Sequence, residues 1–178
     1  MSSVAVGLFA AHGFDAVTID QIVTAAGISR RTFHRYFAAK EDVVVGDGNG
    51  LGELVCSALE ARPSGEPAWT SLRLSFEAML AEAGGDPLRD RQTIGIIAST
   101  PALRARNLEK HLLWAELLVP IIAARTSGED RSQRAEVLVH TALACLDVSL
   151  ASWAANETED VHDVLDRTFG VLAEARAC

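Results

Sequence analysis

Apolar side chains recur every three or four positions along most of this 178-residue chain, the spacing of one face of an α-helix. Val4, Leu8 and Phe9 share a side of a short first helix, which Gly13 ends. A second helix opens at Thr18, where Thr18-Ile19-Asp20-Gln21 has the order of a capping box and Val17 and Ile22 take the flanking staple positions. Asp20 in its first turn complements the helix dipole. Gly27 stops it after about two turns. Ser29 then caps a third helix, with Ile28 and Phe33 as its staple. Two short helices joined through a glycine turn predict a helix-turn-helix.

The helical period returns beyond Arg62-Pro63-Ser64-Gly65-Glu66-Pro67, whose composition reads as a linker. Trp69, Leu72, Phe76, Met79, Leu80 and Ala83 form one apolar stripe. Asp86-Pro87 caps the next helix, which carries Ile94, Ile96 and Ile97. Thr100-Pro101 starts another, running to Arg125 with Pro120 expected to kink it. The segment from Arg131 to Ala155 is apolar nearly all round in its second half, and Val161 to Ala175 adds a last helix. Nothing reads as a strand, a repeat or a low-complexity tract. The fold class expected is all-α: residues 1–45 as a three-helix head and 46–178 as a second helical domain, with 46–67 as connecting helix and linker.

Between Val43 and Gly52 the glycines Gly46, Gly48, Gly50 and Gly52 alternate, each unfavourable inside a helix. No GxGxxG or GxxxxGK spacing is present, so a phosphate loop is excluded. Asp47 and Asn49 begin no acidic calcium-ligand series. The glycines are read as softening the connector.

Composition narrows the class. Hydrophobic content is 49% and charged content 22%, which excludes wholesale disorder. Cys56, Cys145 and Cys178 form no CxxC pair, so neither a disulfide framework nor a zinc finger is expected. Val137 to Ala155 nearly reaches membrane-spanning length, but it contains His140 and Asp147 and reads as a buried helix. No secretory signal is recognisable, and a reduced cytoplasm is the expected location. The net charge is −8, yet Ile28 to Lys40 holds Arg30, Arg31, Arg35, Lys40 and His34 with no acid. In the third helix Phe33 and Phe37 must face the core. Arg31, Thr32 and Arg35 then lie roughly opposite, flanked by Arg30, His34 and Tyr36. Such a helix suits the DNA major groove, where Arg can bond guanine O6 and N7 and Thr can touch a thymine methyl or a phosphate. Thr18 and Lys40, at helix starts, are placed for phosphate oxygens.

Gly13-Phe14, Thr18-Ile19, Ile22, Ala25-Ala26-Gly27-Ile28-Ser29, Thr32-Phe33, Tyr36-Phe37 and Lys40-Glu41 resemble the DNA-binding domain of TetR-family repressors. The resemblance covers roughly residues 4–45. It implies an all-helical homodimer with a DNA-binding head and a larger ligand-binding, dimerising domain. It also implies that Thr18, Arg30, Arg31, Thr32, His34, Tyr36 and Lys40 face DNA; Ser29 and Arg35 complete the candidate set. Two departures stand out. His34 replaces the Tyr most often found there, which would make a phosphate contact pH-sensitive. No basic arm precedes the first helix, so either the chain starts earlier or the contacts of such an arm are missing.

The segment Ile97-Ala98-Ser99-Thr100-Pro101-Ala102-Leu103-Arg104-Ala105-Arg106 is similar to TetR regulators of acyl-CoA-like ligands. An apolar tunnel lined by Trp69, Phe76, Met79, Trp114 and Trp153 would hold an acyl chain, with Ile97 a further candidate ligand contact. Arg104 and Arg106 would then meet phosphates at its mouth, and Asp147 would orient the ligand. The last two helices carry enough apolar surface to leave a patch exposed on a monomer, which a second copy would cover unless both helices simply complete one bundle. Leu138, Ala142, Leu146, Ser149, Val164, Leu165, Phe169 and Leu172 are therefore candidates for a dimer interface. No nucleophile motif, HExxH or P-loop is present, and the histidines are too widely spaced for a helical metal pair, so no enzyme activity, cofactor or metal is expected. The function expected is a repressor released from a palindromic operator by a small hydrophobic, acyl-CoA-like effector. The rivals are a small helical enzyme and a helical adaptor with a non-functional helix-turn-helix.

Overall fold

The computed structural model of the chain describes residues 1–46 and 49–175, except for the side chains of Asn49 and residues 173–175. Asp47, Gly48 and Cys178 lie outside the described residues. The helices in chain order are α1 (Ser2–His12), α2 (Ile19–Ala26), α3 (Arg30–Tyr36), α4 (Asp42–Val45) and α5 (Asn49–Glu60). They continue with α6 (Ala68–Ala83), α7 (Pro87–Ser99), α8 (Pro101–Arg125), α9 (Arg131–Ala155) and α10 (Val161–Ala175). Among the described residues there is no strand, and the architecture is that of an N-terminal helix-turn-helix domain with a C-terminal helical domain.

Two compact units divide the chain, one of Met1–Asp47 with Gly85–Lys110 and one of Gly48–Gly84 with His111–Cys178. The division differs from a cut at residue 45. α7 and the first part of α8 group with the head because Leu103 of α8 is fully buried in the head's core, and Ile96 and Ile97 of α7 pack against that core.

The head is built as its caps specify. Thr18 accepts from Gln21 N–H at 3.3 Å while Gln21 Oε1 accepts from Thr18 N–H at 2.8 Å, completing the capping box of α2. Gly27 ends α2 in the left-handed conformation, at φ 67° and ψ 32°, which glycine adopts without a Cβ penalty. Ser29 Oγ accepts from Thr32 N–H at 3.1 Å and starts α3. Ala5, Phe9, Phe14, Val17, Ile22, Phe33 and Val43 form the core with Leu103. Gly46, at φ 78°, ends α4 after a single turn, so the connecting helix expected from the sequence is broken here.

The C-terminal unit packs α5, α6, α9, α10 and the later part of α8 around Leu72, Phe76, Trp114, Leu118, Leu146, Leu165 and Phe169. Trp69 stacks at 4.7 Å from Phe169 and donates its indole N–H to the Phe169 carbonyl at 3.2 Å. The Arg125 guanidinium donates to the carbonyl of Arg62 at 3.1 Å, just beyond the end of α5, where a cation also complements the helix dipole. The Arg62–Pro67 linker is pinned: Glu66 accepts from Arg62 Nε at 2.8 Å and from Ser71 Oγ at 2.7 Å. Those donors, Arg62 first, hold the Glu66 carboxyl down at about 2.

Helix α9 is long and apolar enough to cross a membrane by length and composition. Within the unit, however, Val139, Ala142, Leu143, Leu146 and Trp153 are buried. Gly52, read from the sequence as part of a soft connector, lies inside α5, and a Cβ there would come within 2.8 Å of the Trp114 indole. Its role is close approach. Gly50 has open space where a Cβ would go.

The two substitutions should therefore differ in sign. Gly52→Ala should destabilise the protein by about 1–3 kcal/mol, the usual result of overpacking a filled core. Gly50→Ala should be neutral or stabilising by up to about 1 kcal/mol. Thermal unfolding of both variants measures this; equal melting temperatures would contradict the role assigned to Gly52.

Candidate nucleic-acid interface and effector-binding unit

A seven-residue helix cannot hold itself in water, so α3 depends on its anchor. Phe33 is completely buried, 5.5 Å from the Phe37 ring, and it fixes the rotation of α3. Arg30, Arg31, His34, Arg35 and Tyr36 are left exposed and Thr32 half-exposed. The structure thus brings the expected groove-facing residues together on one short helix. They are not equally available. Arg30 pairs with Asp20 at 3.2 Å. Arg35 donates to Tyr36 Oη at 3.0 Å and lies over the Tyr36 ring. Thr32 Oγ1 lies 2.9 Å from Ser29 Oγ. Arg31 is exposed and has no ion pair or hydrogen bond among the described residues.

Two candidates have structural work that their exposure does not reveal. Thr18 is committed to its cap. Lys40, expected at a phosphate, sends Nζ to the carbonyls of Phe14 at 2.8 Å and Val17 at 2.9 Å, and lies 4.1 Å from the centre of the Phe14 ring. It ties the loop between α1 and α2 to the start of α4, because two buried-edge carbonyls there have no helical partner. At most one of its N–H donors is left for DNA.

The ligand set divides between the two units. Arg104 and Arg106 belong to the head. Arg104 is exposed, whereas Arg106 bonds Asp42 and Glu109, each at 2.7 Å, so two carboxylates already occupy its guanidinium. Ile97 packs half-buried against the head's core. Phe76, Met79 and Trp114 pack in the core of the C-terminal unit, and Trp153 is buried too. These residues were read as tunnel walls; the structure makes them core, since each fills space between helices. Asp147 accepts from His111 Nδ1 at 3.1 Å, while His140 is exposed. That pairing joins α8 to α9, and no single-helix spacing could have shown it. Trp69 lines a surface cleft of about 630 Å³ with Pro67, Thr126, Arg134, Val137 and Leu138.

The dimer candidates also need correction. Ala142, Leu146, Ser149, Val164, Leu165 and Phe169 are fully buried within one protomer, with Leu138 and Leu172 half-buried. The contacts among α6, α9 and α10 consume the surface that was assigned to a partner. What α9 leaves exposed is another face: Val137 at 60%, Ala144, Val148 at 59% and Ala151. With Thr141 these positions step by four, three, four and three residues, the repeat of a coiled-coil seam. Among the described residues no cluster of three potential metal ligands occurs.

Comparison with known proteins matches two consecutive stretches of the chain. Residues 3–45 match the bacterial regulatory proteins of the tetR family, and residues 66–177 match the MftR C-terminal domain. The chain belongs to the TetR family of transcriptional regulators, in the group with an MftR-type C-terminal domain. It is 29% identical over 179 residues to the protein described as the mycofactocin biosynthesis transcriptional regulator MftR of Mycobacterium tuberculosis, covering 97% of this chain and 87% of that protein. It is 33% identical over 127 residues to the regulator TcmR of Streptomyces glaucescens, covering 68% of this chain and 56% of that one. Among solved structures, the Thermus thermophilus repressor FadR in complex with lauroyl-CoA is 27% identical with a TM-score of 0.57, covering 97% and 91% of the two chains. The regulator FadR of Bacillus subtilis, 18% identical with a TM-score of 0.61 over 96% and 95%, shares the fold.

Arg31→Ala should weaken DNA binding by roughly 1–3 kcal/mol and leave the melting temperature unchanged, as loss of a base-reading Arg does. Lys40→Met should lower the melting temperature, because two carbonyls lose their donor. Anisotropy and thermal melts on both variants check the division. A destabilised Arg31→Ala or a fully stable Lys40→Met would reverse the assignments.

Proposed function

We propose that the protein is a homodimeric, ligand-responsive repressor that reads a palindromic operator through α3 and leaves it when a small hydrophobic effector of the acyl-CoA class binds the C-terminal unit. The observation that carries the DNA half is Arg31, exposed and without a partner among the described residues, on a helix whose rotation Phe33 fixes. DNA-facing roles for Thr18, Ser29, Arg30, Thr32, His34, Arg35, Tyr36 and Lys40 are part of this reading, with Lys40 limited to a secondary contact. The effector half is supported by the 27% identity to a repressor solved with lauroyl-CoA and by the cleft beside Trp69, whose volume of about 630 Å³ is within the usual range for ligand pockets. Release requires the effector to favour the non-binding form by a few kcal/mol, roughly a 10²–10⁴-fold preference. We assign the protein no enzymatic activity and a cytoplasmic location, as its regulator relatives suggest.

Regulators of this family are dimeric, and two α3 helices about one DNA turn apart suit two half-sites. The Val137–Ala151 face of α9 is the surface we assign to the partner. Val148→Arg should convert a dimer to a monomer in light scattering and weaken operator binding. A dimer that survives the substitution would move the interface elsewhere.

The function is tested by anisotropy of the full chain on the DNA beside its own gene, at two salt concentrations, with and without lauroyl-CoA. Nanomolar binding that outcompetes random DNA and is released by lauroyl-CoA is the expected result. Binding indifferent to lauroyl-CoA would discard the acyl-CoA effector. If no sequence preference emerged there or in random-site selection, the repressor reading would fail.

A further inference from the structure

Asp42, the first residue of α4, is 3% exposed. Its Oδ2 accepts from Ala39 N–H at 2.9 Å, and its Oδ1 accepts from Arg106 Nε at 2.7 Å. Ala39 lies in the five-residue connection between α3 and α4, so one carboxylate braces that turn and holds α8 against it. Leu103, one helical turn before Arg106, is fully buried in the same core. α8 therefore approaches α4 through two anchors on one face, one apolar and one ionic. Phe33 docks α3 on the core with Ile28 and Phe37 packed at its two ends, and its C-terminal end continues straight into the turn that Asp42 braces.

We infer that the Asp42–Arg106 pair is a positioning clamp: through it α8, an element outside the helix-turn-helix, sets α3 at the angle needed for base contact. Arg106 and Asp42 act through α3 and touch no DNA themselves. The inference deepens the DNA-binding reading and rests on it. A buried carboxylate deprived of its cation is strongly disfavoured, so losing Arg106 displaces the turn, while losing the Asp42 charge releases α8 from it.

The test uses the full-length chain, a DNA site obtained by random-site selection with the wild-type protein, and a scrambled duplex. Arg106→Gln and Asp42→Asn should each lose about tenfold or more in affinity for the selected site. Affinity for the scrambled duplex should change by less than about twofold, because that binding depends on phosphate charge alone. Arg106→Lys should recover most of the loss, since its ammonium can reach the position that Nε occupies. Hydrogen exchange of the amides in residues 30–45 should quicken about fivefold in Arg106→Gln, with α6 unchanged. Site affinity within twofold of wild type, equal losses on both duplexes, or no rescue by Lys would each overturn the clamp. If Arg106→Gln does not fold, Asp42→Asn decides by the same criteria. If the wild-type chain selects no DNA site, the DNA reading fails separately, and the clamp stands or falls on the exchange rates.

Discussion

The burial of Phe33 is the interaction on which the basic surface of α3 depends. An isolated helix of seven residues is far below the length that is stable in water, so α3 exists only as a docked element. With Phe33 in the core and Ser29 capping the first turn, its remaining side chains have one arrangement, and the arginines face outward. Everything else in the head supports that docking. Phe9, Phe14, Ile22 and Val43 supply the wall, Lys40 closes the loop before α2, and Asp42 with Arg106 holds the turn after α3.

Charge is segregated along the same division. The head unit carries nine Lys or Arg and eight Asp or Glu, a formal +1, while the other unit carries seven and sixteen, a formal −9. The −8 of the whole chain therefore does not describe the unit that carries α3, which is close to neutral. Local field matters more than net charge. Arg30 and Arg106 are nonetheless paired with carboxylates and Arg35 is engaged by the Tyr36 hydroxyl, which leaves Arg31 as the exposed cation of α3 without a partner among the described residues.

Helix α9 shows how much a nearly all-round apolar helix can hide. Its pattern demands cover on more than one side but does not say which side meets its own chain. Ala142, Leu146 and Ser149 turn inward on α6 and α10, and Val137, Ala144 and Val148 remain outside. The four-three stepping of the exposed positions was present in the sequence, although two such seams run along the same helix and only packing tells them apart.

The helical class, the two caps of the helix-turn-helix, the burial of Phe33 and the basic face of α3 were determined by sequence alone. They rest on contacts three or four residues apart, which local order specifies. Similarity of residues 4–45 to the TetR family was legible for the same reason. Contacts far apart in the chain were decided by the tertiary structure: Lys40 to Phe14, Arg106 to Asp42, His111 to Asp147, and the membership of α7 in the head unit. At Lys40, Arg106 and Asp147 the contact diverts the residue from the role its exposure or charge suggested, because the loop carbonyls, the buried Asp42 carboxylate and the buried His111 ring find a partner wherever the fold brings one. The roles of Gly46 and Gly52 follow the same division. Both glycines are visible in the sequence, but only the backbone angle at one and the Trp114 ring against the other show why they are there.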